Sequence, residues 1–79
     1  MSNGTPKIYP NPVVNELNID NINGDLTLVL IADFMGKNFM VQHLSSGRNT
    51  VDVTALPAGI YLLHLTGTSK AEIQNFLKQ

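Results

Sequence analysis

Short stretches of apolar residues, separated by turn-forming residues, recur about every 8–12 positions along the chain, the spacing of sandwiches and barrels. Glu16 to Asp20 alternates polar and apolar side chains, which predicts a strand with one face in water. Leu26 to Ala32 is apolar on both faces, which favours a central strand. The predicted strands are Lys7–Tyr9, Glu16–Asp20, Leu26–Ala32, Asn38–Leu44, Thr50–Val53, Ile60–Thr66 and Ala71–Lys78. We therefore predict an all-β chain, an immunoglobulin-like β-sandwich of about seven short antiparallel strands.

The predicted strands are joined by short connections rich in turn formers. Asn23-Gly24 predicts a hairpin turn, because both residues tolerate positive φ. Asp33 to Gly36 predicts a further turn, in which the Asp33 side chain bonds a backbone amide two residues on and Gly36 takes the left-handed conformation, and Leu56 to Gly59 predicts another. The last segment is the one place where helix competes with strand, since Ala71 to Leu77 is also compatible with a short helix. Its short length and the surrounding β pattern favour a strand.

The alternation along the sixth predicted strand assigns side chains to faces. Tyr61 is expected to face the core together with Leu63 and Leu65, and His64 to point away from it. A tyrosine near the start of a late sandwich strand often donates its hydroxyl to nearby backbone. On the fourth strand, His43 is expected to share a face with Phe39 and Val41 and to be partly buried.

Length, composition and charge narrow the possibilities further. The chain has 79 residues, no cysteine and a net charge of −1. It is one small domain without a disulfide or thiolate metal site, and its charge gives no reason to expect nucleic-acid or anionic-membrane binding. Residues 1–6 are interpreted as a linker or an expression remnant and residues 7–79 as the domain. Because residues 1–6 are uncharged and polar, we expect any export signal to lie upstream.

Chemistry-bearing residues are sparse, and the sequence predicts no enzyme, cofactor or metal site. Its two histidines, His43 and His64, lie on predicted strands without a nucleophile motif. Asp20 to Asp25 superficially resembles a calcium loop but lacks the ligand register and the closing glutamate, so we interpret it as a hairpin. The basic residues are dispersed and are expected to lie in water: Lys7, Lys37, Arg48, Lys70 and Lys78.

Four blocks, in order, carry a family resemblance: Lys7 to Pro12 with the following Glu16 to Ile19, Ile31 to Lys37, Leu56 to Tyr61, and Phe76 to Gln79. They resemble the type A C-terminal sorting domains of the type IX, or Por, secretion system of Bacteroidetes. The positions that match the family motifs are Tyr9, Pro10, Asn11, Pro12, Asp33, Gly36, Lys37, Leu56, Pro57, Gly59 and Tyr61. Most of them have a structural interpretation as corners, turns and core.

The resemblance implies a non-catalytic domain that directs an upstream cargo protein of the same chain across the outer membrane. It implies two further partners, the type IX translocon and a sortase-like peptidase that cleaves before Lys7. It also implies passage through the periplasm and a final location at the cell surface or in the medium. Two alternatives stay open: a β-sandwich that binds carbohydrate or protein, for which Phe34 in a turn is the one plausible exposed platform, and a structural accessory domain of a secreted enzyme.

The last predicted strand is the candidate element for recognition by the translocon. An edge strand carries unpaired backbone groups that a partner strand can bind, and the family's final strand is typically basic. The candidate recognition residues are Glu72, Ile73, Phe76, Leu77, Lys78 and Gln79. The competing interpretation is that this strand only completes the sandwich.

Overall fold

A computed structural model describes residues 7–79, which form seven strands in two antiparallel sheets. The strands are β1 (Lys7–Tyr9), β2 (Glu16–Asn21), β3 (Leu26–Ala32), β4 (Asn38–His43), β5 (Gly47–Asp52), β6 (Gly59–Gly67) and β7 (Ala71–Lys78). The smaller sheet has the order β1-β2-β5 and the larger β4-β3-β6-β7. The predicted all-β sandwich is confirmed. Within the described range there is no helix long and apolar enough to cross a bilayer.

The strand boundaries follow the sequence pattern closely, with one exception. β1, β3 and β7 begin and end at the predicted residues, and the helical alternative for β7 is wrong. β5 begins at Gly47, three positions before the prediction, because the polar segment Gly47 to Asn49 pairs with β2 although it carries no apolar alternation. The paired part of β5 is therefore longer at its start than the alternation of apolar and polar side chains predicts.

The predicted hairpin at Asn23-Gly24 is wrong, because β2 and β3 lie in different sheets. The chain does turn there, with the Gly24 amide donating to the Asn21 carbonyl over 3.1 Å. The buried Asn21 side chain stabilises the connection between the two sheets. Its Nδ2 donates to the Leu26 and Ser45 carbonyls, and its Oδ1 accepts from the Leu26 amide. A turn signal indicates reversal of the chain but does not specify which sheet receives the next strand.

The apolar residues that alternate inward from both sheets form one core between them. Its fully buried members include Leu17 and Val51 from the smaller sheet and Ile31, Leu63 and Leu65 from the larger. Tyr61 joins them at 4% exposure, as predicted, whereas His64 lies half-exposed on the opposite face of the larger sheet, paired with Leu30 and Ile73. Each apolar side chain buried in this way contributes roughly 1.5–3 kcal/mol to folding.

A register shift in the larger sheet overturns the prediction for His43. Between Ile31 and Ala32 the pairing with β4 skips one residue, which leaves Phe39 unpaired. Phe39 packs against the core, with its ring 5.4 Å from that of Tyr61. Val41 and His43 lie on the outer face, and His43 is exposed, not partly buried. An extra residue in one strand separates side chains that strict alternation places on one face.

Candidate functional site

The segment Tyr9 to Pro12 forms a corner whose asparagine contacts the other end of the chain. Both Tyr9-Pro10 and Asn11-Pro12 have cis peptide bonds. The Asn11 Oδ1 atom accepts a hydrogen bond of 2.9 Å from the Leu77 amide. The next buried residue, Val13, donates its amide to the Leu77 carbonyl and accepts from the Gln79 amide, both at 2.8 Å. The corner predicted from the prolines therefore also covers part of the outer edge of β7.

The turn that joins β3 to β4 is built as the sequence predicts. The Asp33 carboxylate accepts from the amides of Met35 and Lys37 at 2.9 and 2.8 Å, and Gly36 has a φ of +88°. Phe34 is 64% exposed and Met35 91% exposed at the tip, so the predicted exposure of Phe34 is confirmed. The family residues of this turn act as backbone supports, and no reactive group is among them.

The block from Leu56 to Tyr61 connects the sheets and supplies a core tyrosine. The Tyr61 hydroxyl donates to the Pro57 carbonyl, four residues upstream, as expected for a tyrosine near the start of such a strand. Its ring stacks 5.6 Å from that of Phe76 and meets Phe39 edge to face. This block therefore fixes the start of β6 against β7, and the contacts of Tyr61 are structural.

The predicted recognition residues of β7 divide into two groups by burial. Phe76 is 1% exposed and Lys78 is 6% exposed, so neither offers its side chain to a partner. The prediction that Lys78 lies in water is wrong: its aliphatic stem is covered, and Nζ donates to the Gln79 carbonyl at 3.0 Å. Ile73 is 63% and Leu77 38% exposed, both on the outer face of the larger sheet.

β7 is an edge strand whose outer edge is only partly covered. In an antiparallel pair, backbone groups point alternately toward and away from the partner strand. The Leu77 amide and carbonyl point outward, to Asn11 and Val13, so those of Asn75 and Ile73 point outward as well. Within the described part of the chain, no strand pairs with this side of β7 before Leu77. We call the outward-pointing main-chain groups of Ile73 and Asn75 the open edge of β7.

A polar cluster lies on the opposite side of the molecule, on the outer face of the smaller sheet. The Tyr9 hydroxyl donates to Asp20 Oδ1 at 3.0 Å, and Arg48 Nε lies 3.5 Å from the same oxygen. Burial of the Tyr9 phenol raises its pKa, and the hydrogen bond to Asp20 raises it further. The cluster lines a shallow depression of about 550 Å³ together with Lys7 and Ile8. Since its charges neutralise each other, we interpret it as a link between strands.

The remaining residues considered for catalysis or metal binding do not lie together. His43 lies on β4 and His64 on β6, and residues 7–79 contain no group of three His, Cys, Asp or Glu side chains that could hold a metal. Asp20 and Asp25 stand on either side of the connection between the sheets, where Asp20 is engaged by Tyr9 and Arg48.

A family model described as a secretion system C-terminal sorting domain matches residues 7–79. No curated protein matches the chain. The match includes the corner at Asn11, the Asp33 turn, the Tyr61 block and the whole of β7. The chain thus belongs to the family of C-terminal sorting domains of the type IX secretion system, which are non-catalytic signals for export to the cell surface or the medium.

Proposed function

We propose that this domain carries a cargo protein, joined to it ahead of β1, from the periplasm through the outer membrane, and that the translocon recognises it by adding a strand to the open edge of β7. A sortase-like peptidase then cleaves the chain before Lys7. The observation that supports this mode of recognition is the half-covered outer edge of β7, where no strand among residues 7–79 pairs with the outward main-chain groups of Ile73 and Asn75. Strand addition supplies affinity through main-chain hydrogen bonds, which suits a signal borne by cargoes of unrelated sequence.

The corner at Asn11 supports the proposal because it limits where a partner strand can pair. Asn11 and Val13 occupy the edge at Leu77, so an added strand has access only to the part of β7 that precedes it. The exposed residues there, Ile73 and Asn75, alternate with the partly buried Glu72 and Gln74. Of the predicted recognition residues, Phe76 and Lys78 support the fold, while Ile73 and Leu77 remain available on the outer face.

The test is a reporter with a signal peptide fused ahead of this chain and expressed in a host that has the type IX system. Deletion of the last residues is a poor variant, because it removes Phe76 from the core. Asn75→Pro instead removes one outward-pointing amide and keeps the pairing with β6, since proline is tolerated on the free side of an edge strand. Asn75→Ala keeps the amide and serves as the matched control.

We expect the Asn75→Pro fusion to accumulate in the periplasm and the Asn75→Ala fusion to reach the surface or medium like the intact one. Urea unfolding of both variants checks that the domain remains folded. Equal export of the two variants would refute strand addition at this edge. If the intact fusion itself stays in the periplasm, the proposed transport function is wrong.

A further inference from the structure

The two outer faces of the sandwich differ in chemistry. The outer face of the smaller sheet carries charged side chains in register, such as Lys7 opposite Asp20 and Asp20 opposite Arg48. On the larger sheet the outward positions are mostly apolar, and among the strand residues that the structure describes this face carries no Lys, Arg, Asp or Glu. Its polar groups are neutral hydroxyl and amide side chains and two imidazoles.

We call the outward apolar side chains of the larger sheet the open apolar face. The larger of them come from all four strands and are Leu28, Leu30, Val41, Ile60, Leu62, Ile73 and Leu77. Val41 is 61%, Ile60 52% and Ile73 63% exposed. Leu30 lies opposite Val41 on one side and His64 on the other, which makes the patch continuous across the sheet.

The size of this face indicates a binding surface of modest strength. Strands lie about 4.8 Å apart and rise about 3.3 Å per residue, so the whole outer surface of this four-stranded sheet is roughly 450 Å², of which the open apolar face is the larger part. Contiguous apolar patches of this order on a small soluble domain are commonly functional. A contact of this area is typical of transient encounters, which a signal that is read and then released requires.

The fold limits what can cover the open apolar face. A cargo joined ahead of β1 is attached at Lys7, on a strand of the smaller sheet and not on any strand that carries this face. A second copy packed face to face would bury only about 900 Å² in total, below the roughly 1,200–2,000 Å² of stable complexes. An anionic lipid surface would find no cationic side chain among the strand residues of this face.

We propose that the open apolar face docks on a flat, apolar, uncharged protein surface of the outer-membrane export machinery. This inference rests on the proposed function and assigns to the sorting signal a second surface beside the open edge of β7. The two surfaces adjoin at Ile73, so one partner that adds a strand at the edge also reaches across the sheet.

Val41→Glu is the discriminating variant, because Val41 lies on β4, three strands and about 14 Å from β7. The carboxylate points into water in the free domain and is buried without a partner in the proposed complex, which we expect to lower export at least about tenfold. Thr50→Glu, an equal charge on an exposed strand position of the opposite face, is the matched control. Both variants are expected to keep the urea midpoint of the intact chain.

The same fusions are measured for export, for self-association by sedimentation, and for binding to protein-free vesicles of outer-membrane lipid. Reduced export of Val41→Glu, with Thr50→Glu unaffected, supports the proposal. Normal export of Val41→Glu overturns it and leaves recognition at the open edge, tested by Asn75→Pro, intact. A dimer that Val41→Glu dissociates, or vesicle binding that Val41→Glu abolishes, also overturns it, because the face is then covered by a second copy or by lipid. Failure of the intact fusion to export refutes the proposed function instead.

Discussion

Truncation of the Tyr61 side chain tests the core and the register of β6 together. The ring is 4% exposed and contacts Phe39 and Phe76, and its hydroxyl donates to the Pro57 carbonyl. Tyr61→Phe removes the hydroxyl alone and should cost about 1 kcal/mol of unfolding free energy. Tyr61→Ala also removes the ring and should cost roughly 3–5 kcal/mol.

The size of the domain makes these losses measurable and sets the choice of assay. In a chain of 79 residues, a loss of 1 kcal/mol lowers the Tm by about 4–8 °C. Because the total stability of small domains is only about 5–15 kcal/mol, Tyr61→Ala is expected to unfold partly at room temperature. Urea unfolding followed by far-ultraviolet circular dichroism then gives the free energy for Tyr61→Phe, and the fraction folded for Tyr61→Ala.

His64→Ala is the control, because His64 lies on the outer face and contributes no side chain to the core. We expect it to change the unfolding free energy by less than about 0.5 kcal/mol. Equal losses at positions 61 and 64 would refute the assigned register, since a shift of one residue exchanges the two faces of a strand.

Three further measurements test the turns, the ionisable groups and the proposed lack of a metal site. Gly36→Ala should cost about 1–2 kcal/mol in urea unfolding, since its φ of +88° disfavours a Cβ although space around it is open, and Gly36→Asn should cost less. Hydrogen bonds from the side chain and backbone of Thr54 lower the pKa of Asp52. The ionised Asp52 carboxylate therefore stabilises the folded state above about pH 4, and this stabilisation is lost as the pH falls through the lowered pKa. Asp52→Asn should therefore flatten the fall in Tm on acidification, and an unchanged slope would contradict this. Calcium or zinc should leave the Tm unchanged, and a clear rise with either ion would reveal a site.

The apolar pattern of β3 shows both the reach and the limit of prediction from sequence. Apolar residues on both faces of Leu26 to Ala32 indicated a central strand, and β3 does lie between β4 and β6. Only the face with Val29 and Ile31 is fully in the core, whereas Leu28 and Leu30 on the other face are partly exposed. Sequence periodicity identifies apolar faces, but it does not distinguish a face buried in the core from one at the surface of the domain.

The local sequence pattern does not predict the contacts of side chains whose partners lie far away in the sequence. Nothing near Asn11 reveals that its partner is Leu77, 66 positions later. Lys78 was expected in water from its charge, but its stem lies against the core while its amine finds a backbone carbonyl. The Asp33 turn, by contrast, depends on contacts within four residues, and its geometry was predicted correctly.

The contact of Asn11 and Val13 with Leu77 and Gln79 has a consequence for the order of synthesis. A ribosome makes β7 after the six other strands. Until β7 is present, β6 lacks one neighbouring strand, the core lacks Phe76, and Asn11 and Val13 lack their hydrogen-bond partners Leu77 and Gln79. A polypeptide whose translation stops early therefore never assembles the finished larger sheet. Under the proposed recognition at the open edge of β7, such a product lacks the surface that the translocon reads, and secretion is then restricted to cargoes that have been translated through β7.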